Sequence, residues 1–178
     1  MKIRFDPRLL LFFGLNALLL FLTLRVNSST ASLSIYLVIL GPMIVFPALY
    51  MRHGAFFVCT LLTGLWVDAA LPSPFGLFTM LFLIAGTAIF HWRIRFRVEH
   101  NYHPAILAHV LNLVAILALT ISTAYEWIGV LYFWIQFSTT LLVSHLTLLV
   151  IAPWFFDLQR LLLDICRLEA EPEDFPSS

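Results

Sequence analysis

The 178-residue chain has 61% hydrophobic residues, 11% charged residues, a mean hydropathy of +0.95 and no formal net charge. A water-soluble core of this size cannot hide so much apolar surface, and the apolar blocks leave no room for a separate soluble catalytic domain. The chain reads as an all-α integral membrane protein, a compact bundle of six transmembrane helices forming one domain over residues 1–153.

At about 20 apolar residues per crossing, the spans fall near 9–26, 33–50, 54–70, 74–90, 105–125 and 129–153. Basic residues stay on the cytoplasmic side of short loops. An N-terminus inside puts Lys2, Arg4, Arg8, Arg52, Arg93, Arg95, Arg97, Arg160 and Arg167 in the cytoplasm and leaves only Arg25 outside. The reading is a multi-pass cytoplasmic-membrane protein with both ends inside. The acidic residues Glu169, Glu171, Glu173 and Asp174 balance the charge without affecting orientation.

The first span has a basic start and is followed by the small residues Ser29, Thr30 and Ala31, so it also fits a secretory signal peptide. Keeping it is the simpler reading, because the apolar stretch Leu9 to Leu24 is longer than most signal cores. Asn27 to Ser29 matches a glycosylation sequon, a short pattern common by chance. Span two carries Gly41, Pro42 and Pro47, and prolines that remove backbone donors predict a kink. Such interruptions build ion or substrate sites in some transporters, although proline is frequent in membrane helices generally.

Span three holds Cys59, read as apolar filler, while Cys166 is a reduced thiol in the tail; no disulfide framework is expected. Tight turns at Met51 to His53 and Leu71 to Ser73 predict that spans two to four pack antiparallel as one unit. In the second turn Ser73 is expected to cap the fourth helix, Pro74 to take its first position and Gly76 to allow close approach. Asp68, near the end of span three, is either a solvated carboxylate or a hydrogen-bonding anchor for the turn or for a partner chain.

This hairpin places Gly64 four residues before Asp68, with Pro74-Phe75-Gly76 opening the next apolar helix and an Arg-rich loop at His91 to Arg97. It resembles the rod shape-determining protein MreD family, closely over residues 64 to 97 and loosely over the whole chain in size and span count. Carried over residue by residue, the resemblance singles out Gly64, Asp68, Pro74 and Gly76. Phe78 and the acidic tail depart from the family's pattern. The resemblance implies a non-catalytic membrane scaffold of the bacterial cell-wall elongation complex, which organises peptidoglycan synthesis and cell shape. It also implies partners: an MreC-like bitopic protein, a RodA-type glycosyltransferase and a class B penicillin-binding protein reached directly or through MreC, and MreB indirectly. Neither a nucleic-acid partner nor a cofactor is expected.

His100, His103 and His109 do not form a convincing metal set, because the first two belong to a cytoplasmic loop and the third to the membrane. Ser144 and His145 are neighbours in sequence and face different sides of a helix, which argues against a nucleophile and base pair. Gln136, Thr140 and Ser144 share one face of span six, and His109 and Asn112 one face of span five. These intramembrane polar residues are expected to turn inward and fix helix packing by hydrogen bonds. The alternative is a small-molecule pocket, since a six-helix membrane domain of this size is also similar to the substrate-binding component of energy-coupling-factor vitamin transporters. That reading requires a preformed pocket with convergent polar and aromatic groups; the scaffold reading requires an apolar, lipid-facing groove.

Arg93, Arg95 and Arg97 are assigned to topology and to lipid phosphates. After Pro153, Leu158, Leu161, Leu162, Ile165 and Leu168 follow helical spacing opposite Asp157, Arg160, Asp164 and Arg167. This predicts a cytoplasmic amphipathic helix over 154–170 that docks on protein in preference to lipid, with residues 171–178 a disordered acidic tail.

Overall fold

The computed structural model describes residues 6–33, 35–96, 102–124, 126 and 129–168. Six α-helices follow in order: α1 (Pro7–Thr30), α2 (Pro42–Tyr50), α3 (His53–Ala70), α4 (Leu77–Phe96), α5 (Tyr102–Ala124) and α6 (Leu131–Ile165). There is no strand among the described residues. Four helices, α1, α3, α5 and α6, are long and apolar enough to cross a membrane, while α4 has a shorter apolar stretch over Leu77–Arg93. The protein is thus all-helical with four full-length candidate spans.

Several expectations change at helix boundaries. α1 starts at Pro7, where Asp6 caps it by accepting a hydrogen bond from the Arg8 amide at 3.0 Å. The segment expected as an independent amphipathic helix is continuous with α6, which runs through Pro153 to Ile165. Its inward face also differs: Phe155, Phe156, Gln159 and Leu163 are buried, whereas Leu158, Leu161 and Ile165 are exposed. The acidic tail lies outside the described residues, as do Arg97 and His100.

The largest correction concerns span two. It is not a kinked transmembrane helix: residues 35–40 are non-helical and α2 has only 9 residues. Proline explains the break. In a helix continued backward from α2, the Pro42 ring would clash with the Val38 carbonyl and offer it no donor. The neighbouring β-branched Val38 and Ile39 add little helix propensity to resist this. Pro42 instead occupies the first turn of a new helix, where a missing N–H costs nothing.

The broken segment is the centre of the fold. Every residue from Leu37 to Leu49 is buried, and Phe46 packs against Phe12 of α1, Tyr50 and Phe156 of α6 at centroid distances of 5.5, 4.3 and 6.1 Å. A Cβ on Gly41 would overlap the Ala108 carbonyl oxygen of α5. Backbone cannot yield there as a flexible side chain can.

Gly41→Ala is therefore expected to destabilise the protein by about 3 kcal/mol or more, the upper end of overpacking costs. Gly14→Ala, with nothing within 4 Å of its Cβ, is expected to leave the thermal unfolding midpoint in detergent unchanged or slightly raised.

Candidate functional site

The non-helical run exposes backbone groups that lipid cannot satisfy, and side chains from three helices meet them. Asn112 on α5 accepts from the Leu40 amide at 2.8 Å and the Gly41 amide at 3.3 Å, and donates to the Val38 carbonyl at 2.9 Å. The last contact replaces the donor that Pro42 lacks. Ser144 Oγ on α6 accepts from the Val38 amide at 3.0 Å. Asn27 on α1 closes a pair of bonds with Leu37, accepting from its amide at 2.7 Å and donating to its carbonyl at 2.8 Å. Asn16 donates to the Met43 carbonyl at 2.9 Å, which Pro47, four residues on, cannot serve.

Of the intramembrane polar residues singled out from sequence, Asn112 and Ser144 thus turn inward, but they bind backbone rather than each other. His109 pairs with His145 across the α5–α6 seam, with Nδ1 atoms 2.9 Å apart and rings nearly parallel at 17°. Gln136 and Thr140 lie elsewhere, on a cavity wall described below. Among the described residues no group of three His, Cys, Asp or Glu is placed to hold a metal. Both cysteines are free, Cys59 buried and Cys166 exposed.

The α3–α4 hairpin brings Gly64 and Asp68 together against the start of α4. Asp68 is only 4% exposed, so it does not reach interfacial water as a solvated carboxylate would. Its two oxygens accept from the Phe78 amide at 2.8 Å, the Thr79 amide at 3.0 Å and the Thr79 hydroxyl at 2.6 Å. Those amides belong to the first turn of α4, which has no intrahelical acceptor for them, and a carboxylate also suits a helix N-terminus. Asp68 is the cap expected of Ser73. Ser73 Oγ is buried without a partner among the described residues, and its amide donates to the Leu71 carbonyl at 2.8 Å.

Gly64 makes this reach possible, because a Cβ there would stand 2.6 Å from the Thr79 Cα. Pro74 precedes the helix instead of opening it, and its carbonyl accepts from the Leu77 amide at 3.1 Å. Gly76 does not serve close approach, since nothing lies within 4 Å of its Cβ position; its φ of +96° is the reason for glycine. At the far end of α4, Arg93 stacks over Phe90 at 4.2 Å and donates to the Met51 carbonyl at 3.2 Å, tying α4 to the α2–α3 turn. That contact adds an internal partner to the topological task expected of this arginine.

Two concavities remain. The larger, of about 800 Å³, lies at the end of the bundle where α1 finishes and α6 begins, with Tyr36, Gln136 and Thr140 on its wall. The smaller, of about 490 Å³, is an apolar groove between α1 and α6, lined by Leu19, Leu22, Val26, Val150 and Trp154 among others. Asn16, Tyr36 and Gln159 carry no signal in the sequence, and Asn27, marked there only as a sequon, is bonded to the Leu37 backbone. Gln159 is fully buried, with neither amide atom partnered among the described residues. No family model, curated protein or solved structure matches the chain.

Removing the Asp68 carboxylate leaves two helix-start amides and a hydroxyl unpaired in a buried site. Asp68→Ala is expected to cost about 2 kcal/mol, and Gly76→Ala about 1 kcal/mol. Both losses should appear as lower unfolding midpoints of the isolated chain, without any partner present.

Proposed function

We propose that the chain is a non-catalytic scaffold subunit of the cytoplasmic membrane of a bacterium, acting in cell-wall elongation as its resemblance to the MreD family implies. It crosses the membrane six times with both termini in the cytoplasm. The broken second segment is long enough to take part: six non-helical residues reach at most about 20 Å and a 9-residue helix adds about 13 Å, against a hydrocarbon core of about 30 Å. The positions of nine of the ten basic residues support this orientation.

The observation that carries the reading is the α1–α6 groove. Leu22, Val150 and Trp154 are 51%, 61% and 78% exposed, and no polar side chain but Thr23 lines the groove. Thr23 already donates to the Leu19 carbonyl at 2.8 Å. A channel of this kind between two membrane helices accepts the apolar face of a third helix by van der Waals packing. Its proposed occupant is the single transmembrane helix of an MreC-like bitopic protein, through which the transpeptidase, the RodA-type glycosyltransferase and MreB filaments are reached. The hairpin residues Gly64, Asp68, Pro74 and Gly76 support the site indirectly by holding α3 and α4 in register, and no reaction is assigned to the chain.

Filling the groove should block its occupant. Leu22→Trp combined with Val150→Trp is expected to reduce co-purification of the MreC-like partner about tenfold, the loss for roughly 1.4 kcal/mol, while the chain remains inserted and folded. Met80→Trp on α4, at a side chain 65% exposed and outside the groove, should leave association unchanged. Undiminished association of the groove double variant would overturn the assignment.

A further inference from the structure

The larger cavity goes beyond the scaffold reading. It is bounded by the end of α1, the non-helical run, the α3–α4 turn and the facing ends of α5 and α6. Its volume of about 800 Å³ lies within the range of small-molecule sites, roughly 300–1,000 Å³. Tyr36 is 42% exposed at this end, which gives the cavity a mouth.

Three observations define what fits. Among the described residues no Asp, Glu, Lys, Arg or His lines the wall, so a buried ionic ligand would lack a counter-charge from them. Four wall side chains, Tyr36, Thr120, Gln136 and Thr140, have no hydrogen-bond partner among the described residues. An acyl chain filling the space would leave all these groups unpaired in a low-dielectric setting, at a cost of about 1–3 kcal/mol each. Phe133 and Phe137 present parallel rings, 6.3 Å apart at 6°, which suits a flat apolar face.

We infer that this cavity binds an uncharged small molecule with one flat ring face and an edge of hydroxyl or amide groups. The ring lies against Phe133 and Phe137. The polar edge meets Gln136, Thr140 and Tyr36. With the proposed orientation the mouth faces outside the cytoplasm, but the binding chemistry is independent of that orientation and of the scaffold role.

The test uses the full chain in nanodiscs, where both membrane faces are accessible, on a Cys59→Ala, Cys166→Ser background. Thr140→Cys is treated with a membrane-impermeant methanethiosulfonate reagent, with Ser29→Cys as the exposed control. 4-Methylumbelliferyl glucoside is the uncharged probe, and the corresponding glucuronide its anionic counterpart. The expected result is that both cysteines react, and that saturating glucoside slows Thr140→Cys about tenfold while leaving Ser29→Cys unchanged. The glucuronide should protect neither. An unreactive Thr140→Cys beside a reactive Ser29→Cys would overturn the open cavity, and absent or equal protection by the two probes would overturn the uncharged-ligand assignment. Gln136→Cys provides the same readout if Thr140→Cys does not fold.

Discussion

Backbone amides and carbonyls buried away from water must be paired, and the second segment of this chain cannot pair its own. Pro42 and Pro47 remove the donors that would serve the Val38 and Met43 carbonyls in a helix. Asn112 and Asn16 supply them instead, at 2.9 Å in each case. With Ser144 and Asn27, these side chains recruit α1, α5 and α6 to one non-helical run. Each bond left unmade costs about 1–3 kcal/mol, so the clamp is a condition for the bundle and not an addition to it. Gly41 belongs to the same device, because its missing side chain lets α5 come close enough for Asn112 to reach.

The clamped run also lines both concavities. Toward α2 the interior is a dry aromatic cluster around Phe46. Toward the other end, where the backbone stays irregular, a mainly apolar cavity with a few polar side chains on its wall opens. The groove between α1 and α6 runs along the outside of the same run, touching Leu37 and Ile39. The groove and the cavity share Thr23, Leu37 and Ile39, so a helix seated in one and a small molecule held in the other would contact the same clamped segment. The Asp68 cap fixes α3 against α4 at the edge of this region, and its carboxylate is fully engaged inside the chain.

Hydrophobic block length made α1, α3, α5 and α6 legible, because a long apolar run leaves few alternatives to a spanning helix. It failed at span two, since apolarity without a clear period does not separate a buried helix from a buried irregular run. Gly41 and Pro42 marked the place, but as a kink. Gly64 and Asp68 come together against the start of α4, where Asp68 makes the cap expected of Ser73, the residue nearest in sequence. Asp68 reaches α4 from ten residues away, across a turn whose geometry depends on the positive φ of Gly76. The roles of Asn16 and of Asn27, the latter marked only as a sequon, escape the sequence for a similar reason: their partners are 27 and 10 residues distant. The tail's stripe of Leu158, Leu161 and Ile165 is exposed on the chain by itself, while α6 continues through Pro153 and presents Phe155, Gln159 and Leu163 inward.

Hydrogen–deuterium exchange of the segment spanning Leu37 to Gly41, in nanodiscs, measures the clamp directly. In the native chain the amides of Leu37, Val38, Leu40 and Gly41, each bonded to a side chain, should be protected to a degree comparable with the core of α3, although they lie outside any helix. Asn112→Leu should speed their exchange about 10- to 100-fold, the equivalent of roughly 1–3 kcal/mol, while α3 keeps its protection. Fast exchange of the native segment, or exchange unchanged by Asn112→Leu, would contradict the claim that a side-chain clamp holds the broken span.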